Sequence, residues 1–392
     1  MRYETYRVAD LIDEIAMGPF GSNIKVSCFA DSGVPVLNGS NLEGFSLSEK
    51  EFRYVTREKA DSLNKANAYR GDIVITHRGT LGQIVFIPQD SRYDRYVISQ
   101  SQFRVRCNDK VFPEYLVYYF HTPIGQHKLL SNASQVGVPA LARPSSTFQQ
   151  IEVELPERSI QKRIVEIITA IQKKIENNQE INDNLEQQAK ALYQQMFIDN
   201  PVPGGHMSTL SDIADITMGQ SPNGSSYNED GNGTVFFQGR AEFGFRFPSI
   251  RLYTTEPKRI ACANDTLMSV RAPVGDLNVA YTDCCIGRGL AAIHSKSSQQ
   301  SFVLYTMFSL RKQLDVFNGE GTVFGSINRT SLNELPIFIP SDREIVKFEA
   351  IVAPIDAAIR NNYEEICRLE KIRDALLPKL MSGELDVSAI EL

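Results

Sequence analysis

The chain of 392 residues contains no tryptophan, only five histidines and six cysteines, and no long uninterrupted apolar run. Each shortage removes a class of function. Crossing a bilayer takes about 18 to 20 consecutive apolar residues, so no membrane-spanning helix is expected. The opening MRYETYRVAD lacks the apolar core of a secretion signal, and a cytoplasmic protein is expected. Cys28, Cys107, Cys262, Cys284, Cys285 and Cys367 show no paired spacing of the kind that holds zinc, and they read as free thiols. The neighbours Cys284 and Cys285 lie in the apolar run VAYTDCCIG, where small buried side chains are a better account than redox or nucleophilic chemistry. His77, His121, His127, His206 and His294 form no ligand cluster, so no metal is expected.

Catalytic motifs are missing as well. There is no Walker A loop, no Asn/Asp-Pro-Pro-Tyr methyl-transfer motif, no His-Glu-x-x-His and no nucleophile elbow. The stretch MGPFGSN is glycine-rich, but it lacks the glycine spacing and the lysine that a nucleotide site needs. An autonomous enzyme is therefore disfavoured. The formal charge of −6 argues against a surface that is basic everywhere and leaves room for a local basic face.

What is present is a chain written twice. Apolar residues make up 42% and charged residues 22%, the balance of a globular protein, and the length suits two or three domains. IQKKIENN from Ile171 returns as IDAAIRNN from Ile355, 184 residues later. At that offset the match runs without a gap from Leu155 to Phe197 against Ile339 to Met381, with Pro156 on Pro340 and Asn178 on Asn362. In the second copy Phe348, Val352, Ile355, Ile359, Asn362, Ile366, Leu369, Arg373, Leu376 and Leu380 step by four and three. The first copy keeps that frame through Ile164, Ile168, Ile171, Ile175, Asn178, Asn182, Leu185, Ala189, Leu192 and Met196. This is the stripe of a coiled coil. An asparagine in such a seam weakens packing and specifies register, so Asn178 is expected to face Asn362. Pro354 is the one misfit, and a bend is expected there.

The segments ahead of each helix also correspond, with offsets that shift as loops differ in length. IAMGPFGSN from Ile15 resembles ITMGQSPNG from Ile216, and VLNGSNLEGF from Val36 resembles FFQGRAEFGF from Phe236. RGDIVITHRGTLGQI from Arg70 resembles ANDTLMSVRAPVGDL from Ala263, setting Asp72 on Asp265, Arg78 on Arg271 and Gly82 on Gly275. GVPAL from Gly137 parallels GSIN from Gly325. Short β-branched and aromatic runs such as GDIVITH and NVAYT, with helical patches such as PEYLVYYFHT, predict α+β globules built on mainly antiparallel sheet. The expected order is a globule over 1–155, a long helix over 156–199, a second globule over 200–340 opened by a turn-rich linker at 199–206, and a second long helix over 341–385 with a tail to 392. If the helices pair antiparallel, the chain closes into a pseudo-twofold dumbbell. About forty residues at ~1.5 Å each hold the globules up to ~60 Å apart, between one and two turns of duplex at ~34 Å per turn.

The order of these motifs resembles the specificity subunit of type I restriction-modification systems, over essentially the whole chain. The resemblance is carried by the repeated globule and helix, the MGQSPNGSSYN loop, the GD…R…G strand pair, the IGRGLAAI run from Ile286, the GTVFGSINRTSLNELPIFIP lead-in from Gly321 and the tail LPKLMSGEL from Leu377. It implies two target-recognition domains, each reading half of a bipartite double-stranded DNA site, with the helix pair fixing the gap. It also implies two modification subunits that bind S-adenosylmethionine and methylate adenine, and two restriction subunits that use ATP and Mg, with no cofactor in this chain. The first copy departs from the pattern, because SQSQFRVRC stands for the GRGLAAI type of run and SQVGVPAL for TVFGSIN.

Affinity for DNA comes from Lys and Arg on phosphates, and specificity from polar side chains on base edges. The candidates in the first globule are Ser22, Asn23, Lys25, His77, Arg78, Ser101, Gln102, Ser134, Gln135 and Arg143. Those in the second are Gln220, Ser221, Asn223, Ser225, Tyr227, Arg240, Arg271, Arg288, Thr322, Asn328 and Arg329. Arg78 and Arg271 are the strongest pair, since they sit at equivalent positions beside a glycine turn. Their alternative role is a structural ion pair with Asp72 or Asp265. The alternative for the chain as a whole is a scaffold whose helices and globules bind only proteins.

Overall fold

The β-branched runs that recur in the sequence form strands that pair in the same order twice. The structure, a computed structural model, describes residues 3–134, 137–201, 203–319 and 325–388. Ile12–Met17, Gln102–Cys107, Ile73–Thr76 and Ile84–Phe86 lie side by side and antiparallel. Ala214–Met218, Leu290–Ser295, Thr266–Ser269 and Leu277–Val279 repeat that order. A sheet of five short strands accompanies each: Phe29–Ala30, Arg53–Val55, Val34–Val36, Arg95–Val97 and Asn67–Tyr69, matched by Tyr227–Asn228, Leu252–Thr254, Thr234–Phe237, Cys284–Ile286 and Ile260–Ala261. Only one neighbour pair in each of these sheets is parallel, Val36 beside Val97 and Phe236 beside Cys285. The α+β class with mainly antiparallel sheet is thus observed. Cys284 and Cys285 are buried strand residues, and burial pushes the Cys284 thiol up to about 12, which keeps it a packing group and not a nucleophile.

The first strand of each globule pairs with the last strand before its helix, Tyr3–Arg7 with Glu152–Pro156 and His206–Thr209 with Pro336–Ile339. The long helices follow at once, Arg158–Tyr193 and Asp342–Ser382. By contact, the chain divides into two compact units, 1–176 with 366–392 and 177–365, so each unit takes half of both helices. In the first unit, Ile160, Ile164 and Ile168 join Leu377, Leu380 and Met381 in one core with the four-stranded sheet. In the second, Ala189, Tyr193 and Phe197 pack with Phe302, Tyr305, Phe348 and Val352. None of the predicted seam residues is exposed. Partners along the seam run in opposite directions in both units, so the helices pair antiparallel.

The asparagines take a different register from the one expected. Asn362 donates to Asn182 Oδ1 at 2.9 Å, and Asn178 donates to Glu365 at 2.8 Å. Residues equivalent in the repeat meet in an antiparallel pair only at its centre, which the Asn182 to Asn362 bond sets at the level of Glu180 and Glu364. Asn178 lies just short of that point and misses its counterpart. Pro354 lies inside the second helix without ending it, on the exposed side with Ala350, whose carbonyl has no N–H to accept from at the proline.

Asn182 is buried and also donates to the Ile359 carbonyl at 3.3 Å. Asn362→Leu alone should therefore cost about 1–3 kcal/mol by stranding a buried amide, while adding Asn182→Leu recovers most of the loss. Urea unfolding of the two single variants and the double variant measures this. Additive losses would contradict the pairing.

Candidate nucleic-acid interface

Each globule gathers its loops at one end of the four-stranded sheet, by the same bonds. In the first, the Gly18 N–H donates to the Gln102 carbonyl at 2.8 Å, and a Cβ on Gly18 would stand 1.9 Å from the Ser99 carbonyl oxygen. In the second, Gly219 donates to Leu290 at 2.9 Å, and its Cβ would meet the Gly287 oxygen at 2.1 Å. Only glycine lets these backbones pass so closely. The next loop is tied the same way: His77 N donates to the Ser101 carbonyl and His77 O accepts from Leu141 N, while Val270 N donates to Gly289 and Val270 O accepts from Ile327 N. Bridges of Arg78 with Ala140 and of Arg271 with Ser326 complete the match. They set Pro139, and not Gly137, level with Gly325, two residues off the sequence pairing.

This row presents Arg78 and Arg271 alike. Both are exposed, and neither guanidinium has an ion pair or hydrogen bond among the described residues. The carboxylates that might have paired them are engaged elsewhere. Buried Asp72 accepts from Arg106 Nε at 2.8 Å, lies 3.5 Å from Arg104 and caps the Tyr69 N–H at 3.0 Å. Asp265 caps the Cys262 N–H at 2.8 Å and meets His294 Nδ1 at 2.5 Å. The repeated aspartate therefore builds the turn that launches the strand, and the repeated arginine is left free at the strand's far end.

The other candidates divide. Asn23, Lys25, Ser134 and Arg143 are exposed in the first domain, as are Gln220, Asn223, Ser225, Arg288, Asn328 and Arg329 in the second. Ser221 Oγ accepts from the Arg288 N–H at 3.2 Å, joining two of the loops. Asn328 also caps the helix Arg329–Asn333 through the Ser331 N–H. The Ser22 side chain, Gln135 and Thr322 fall outside the described residues.

Several candidates are spent on structure. Gln102 is buried, with its Oε1 accepting from Ser99 N at 2.8 Å and its Nε2 donating to the Asn38 carbonyl. Strand register sets it level with the apolar Leu290, opposite Thr76 as Leu290 is opposite Ser269. The exposed residue of that turn is Gln100, level with Arg288, and sequence reasoning missed it, because alternation counted from Phe103 sets Gln100 and Gln102 on the same side. Ser101 is half-buried and serves through its carbonyl. His77 is half-buried with its Nε2 on the Gln100 carbonyl, and desolvation lowers its pKa, so it brings no charge to a phosphate at neutral pH. Arg240 pairs with Asp276 at 2.5 Å. Tyr227 donates its O–H to the Pro222 carbonyl and packs on Phe236 with ring centroids 4.8 Å apart.

Residues 3–187 match the family described as type I restriction modification DNA specificity domain. Similarity to whole proteins extends further. The putative type I restriction enzyme MjaX specificity subunit of Methanocaldococcus jannaschii is 26% identical, over 98% of this chain and 94% of that protein. The MjaIX specificity subunit of the same organism is 23% identical, over 97% and 93%. Residues 3–187 thus carry the family's specificity domain, and over nearly its whole length the chain is similar to type I restriction enzyme specificity subunits. The crystal structure of the S subunit from M. genitalium shares the fold, with a TM-score of 0.60 at 15% identity over 97% of this chain and 96% of that one.

The repeated aspartate and arginine should separate cleanly by experiment. Asp72→Ala removes the partner of Arg106 and the cap on the Tyr69 N–H, while Arg104 keeps Glu14 at 2.8 Å, and should cost about 1–3 kcal/mol. Arg78→Ala should stay within about 0.5 kcal/mol. Urea midpoints at constant slope measure both, and a large loss in Arg78→Ala would show that the residue is structural.

Proposed function

We propose that this chain is the DNA-recognition subunit of a type I restriction-modification complex, with each domain reading one half of a bipartite, asymmetric site. The observation that carries the reading is the loop row built twice by the same hydrogen bonds, with an unpaired exposed arginine at the same place in each. Lys25, Arg78 and Arg143 in the first domain, and Arg271, Arg288 and Arg329 in the second, bind phosphates. Asn23, Gln100, Gln220 and Asn328 are placed for base edges, where amide side chains make paired contacts. The loops differ in sequence between the copies, so the half-sites differ.

The two helices, of 36 and 41 residues, act as the rigid spacer that fixes the gap between half-sites, and their outer faces offer surface to partner subunits. Two modification subunits supply S-adenosylmethionine chemistry on adenine, and two restriction subunits supply ATP- and Mg-dependent steps. This chain contributes position and specificity.

The test is the salt dependence of binding by the assembled complex to its own DNA site. Arg78→Ala and Arg271→Ala should each weaken binding and lower the slope of log K against log salt by about 1. Unchanged slopes in both variants would refute the assignment.

A further inference from the structure

The five-stranded sheets of the two domains share one pairing register, and this makes their residues comparable one by one. Phe29 stands opposite Val55 and Val36 opposite Arg53 in the first. Tyr227 stands opposite Thr254 and Phe236 opposite Leu252 in the second. Phe29 thus corresponds to Tyr227, Val36 to Phe236 and Arg53 to Leu252. In the second domain the Tyr227 ring rests on Phe236. In the first, the short valine leaves the corresponding space open as a cleft of about 400 Å³, within the ~300 to 1,000 Å³ of small-molecule sites.

The cleft has aromatic walls and a donor-rich rim. Phe20 and Phe29 line it, with Asn38, Arg53 and Gln100 at its edge and no carboxylate among its lining residues. Arg53 holds its guanidinium over the Phe29 ring, 5.3 Å from the centroid, and makes no ion pair or hydrogen bond among the described residues. Phe20 is 83% exposed, a large ring left in water on the loop that also carries Asn23 and Lys25. Gln100 lies across Gly21, where a Cβ would come within 2.2 Å of its Oε1. The occupant these groups fit is planar, rich in acceptors and attached to an anion. A nucleobase on its phosphate backbone has those properties, stacking on aromatic and guanidinium faces and accepting from amide and guanidinium N–H groups.

We propose that this cleft holds one base of the half-site read by the first domain, turned out of the duplex stack onto Phe29, between Phe20 and Arg53. The inference rests on the DNA-recognition reading above. It differs from base eversion into a partner methyltransferase, because the pocket belongs to this chain and only its first domain leaves the space between the paired strands open.

The experiment scans single mismatches through the first half-site and measures binding by the assembled complex. A mismatch spoils pairing in advance, so it strengthens binding wherever a base must leave the stack, by on the order of tenfold, and weakens or spares it elsewhere. Val36→Phe fills the cleft with the second domain's own residue, and Arg53→Leu removes the rim charge at an exposed position in the same way. The expected result is a mismatch position whose gain disappears in both variants, while any gain at the methylated adenine survives and the melting temperature of Arg53→Leu is unchanged. Gains at no position, or gains that all survive both substitutions, would overturn the cleft assignment. Failure of the unmodified complex to bind its matched site would instead overturn the DNA-recognition reading itself.

Discussion

Two backbones cross without room for a Cβ, Gly18 over Ser99 and Gly219 over Gly287, and the functional end of each domain depends on that crossing. It pins the loop after the first strand to the turn that starts the central strand. The central strand in turn bonds the loop bearing His77 or Val270, which bonds the segment leading to the long helix. A chain of main-chain hydrogen bonds therefore runs through four loops that are distant in sequence. Side chains on those loops are free to vary between copies because none of these ties uses them. One scaffold thus presents unlike loop surfaces while keeping an arginine at the same place in both.

The same economy holds in the cores. Each globule would be small on its own, and each borrows apolar residues from both helices: Ile160, Ile164, Ile168, Leu377 and Leu380 in one, Ala189, Tyr193, Phe197, Phe348 and Val352 in the other. The helices are then interior elements of the units and not tethers between finished domains. The polar break in their seam, Asn182 on Asn362 and Asn178 on Glu365, lies beside Tyr363, on which Phe247 and Tyr281 pack with ring centroids 4.8 and 5.6 Å away. Packing there yields to hydrogen bonds that select one register.

Much of this was legible in the sequence. The offset of 184 residues and the steps of four and three exposed the helices, and the β-branched runs exposed the sheets, because hydrophobic period is a local property. Register was not legible: sequence equates Asn178 with Asn362, but antiparallel geometry equates levels by their distance from the centre. The same limit explains the site. Gln102 and Gln100 are alike in composition, and only the pairing of Gln102 with Thr76 shows which one points into the sheet. Arg240 looked free until folding brought Asp276 to it. The cleft arises from a valine standing where the other copy has phenylalanine, a difference that gains meaning only when strand pairing shows the two positions to be equivalent.

The central claim is that both loop rows contact DNA at once. Amide hydrogen exchange of the assembled complex, with and without a duplex carrying its site, tests it most directly. The account predicts slowed exchange on DNA binding in residues 18–25, 77–82 and 99–102 of the first domain and in 219–225, 271–276 and 286–289 of the second. Protection confined to one domain, or to the opposite sheet ends around Asp72 and Asp265, would contradict it.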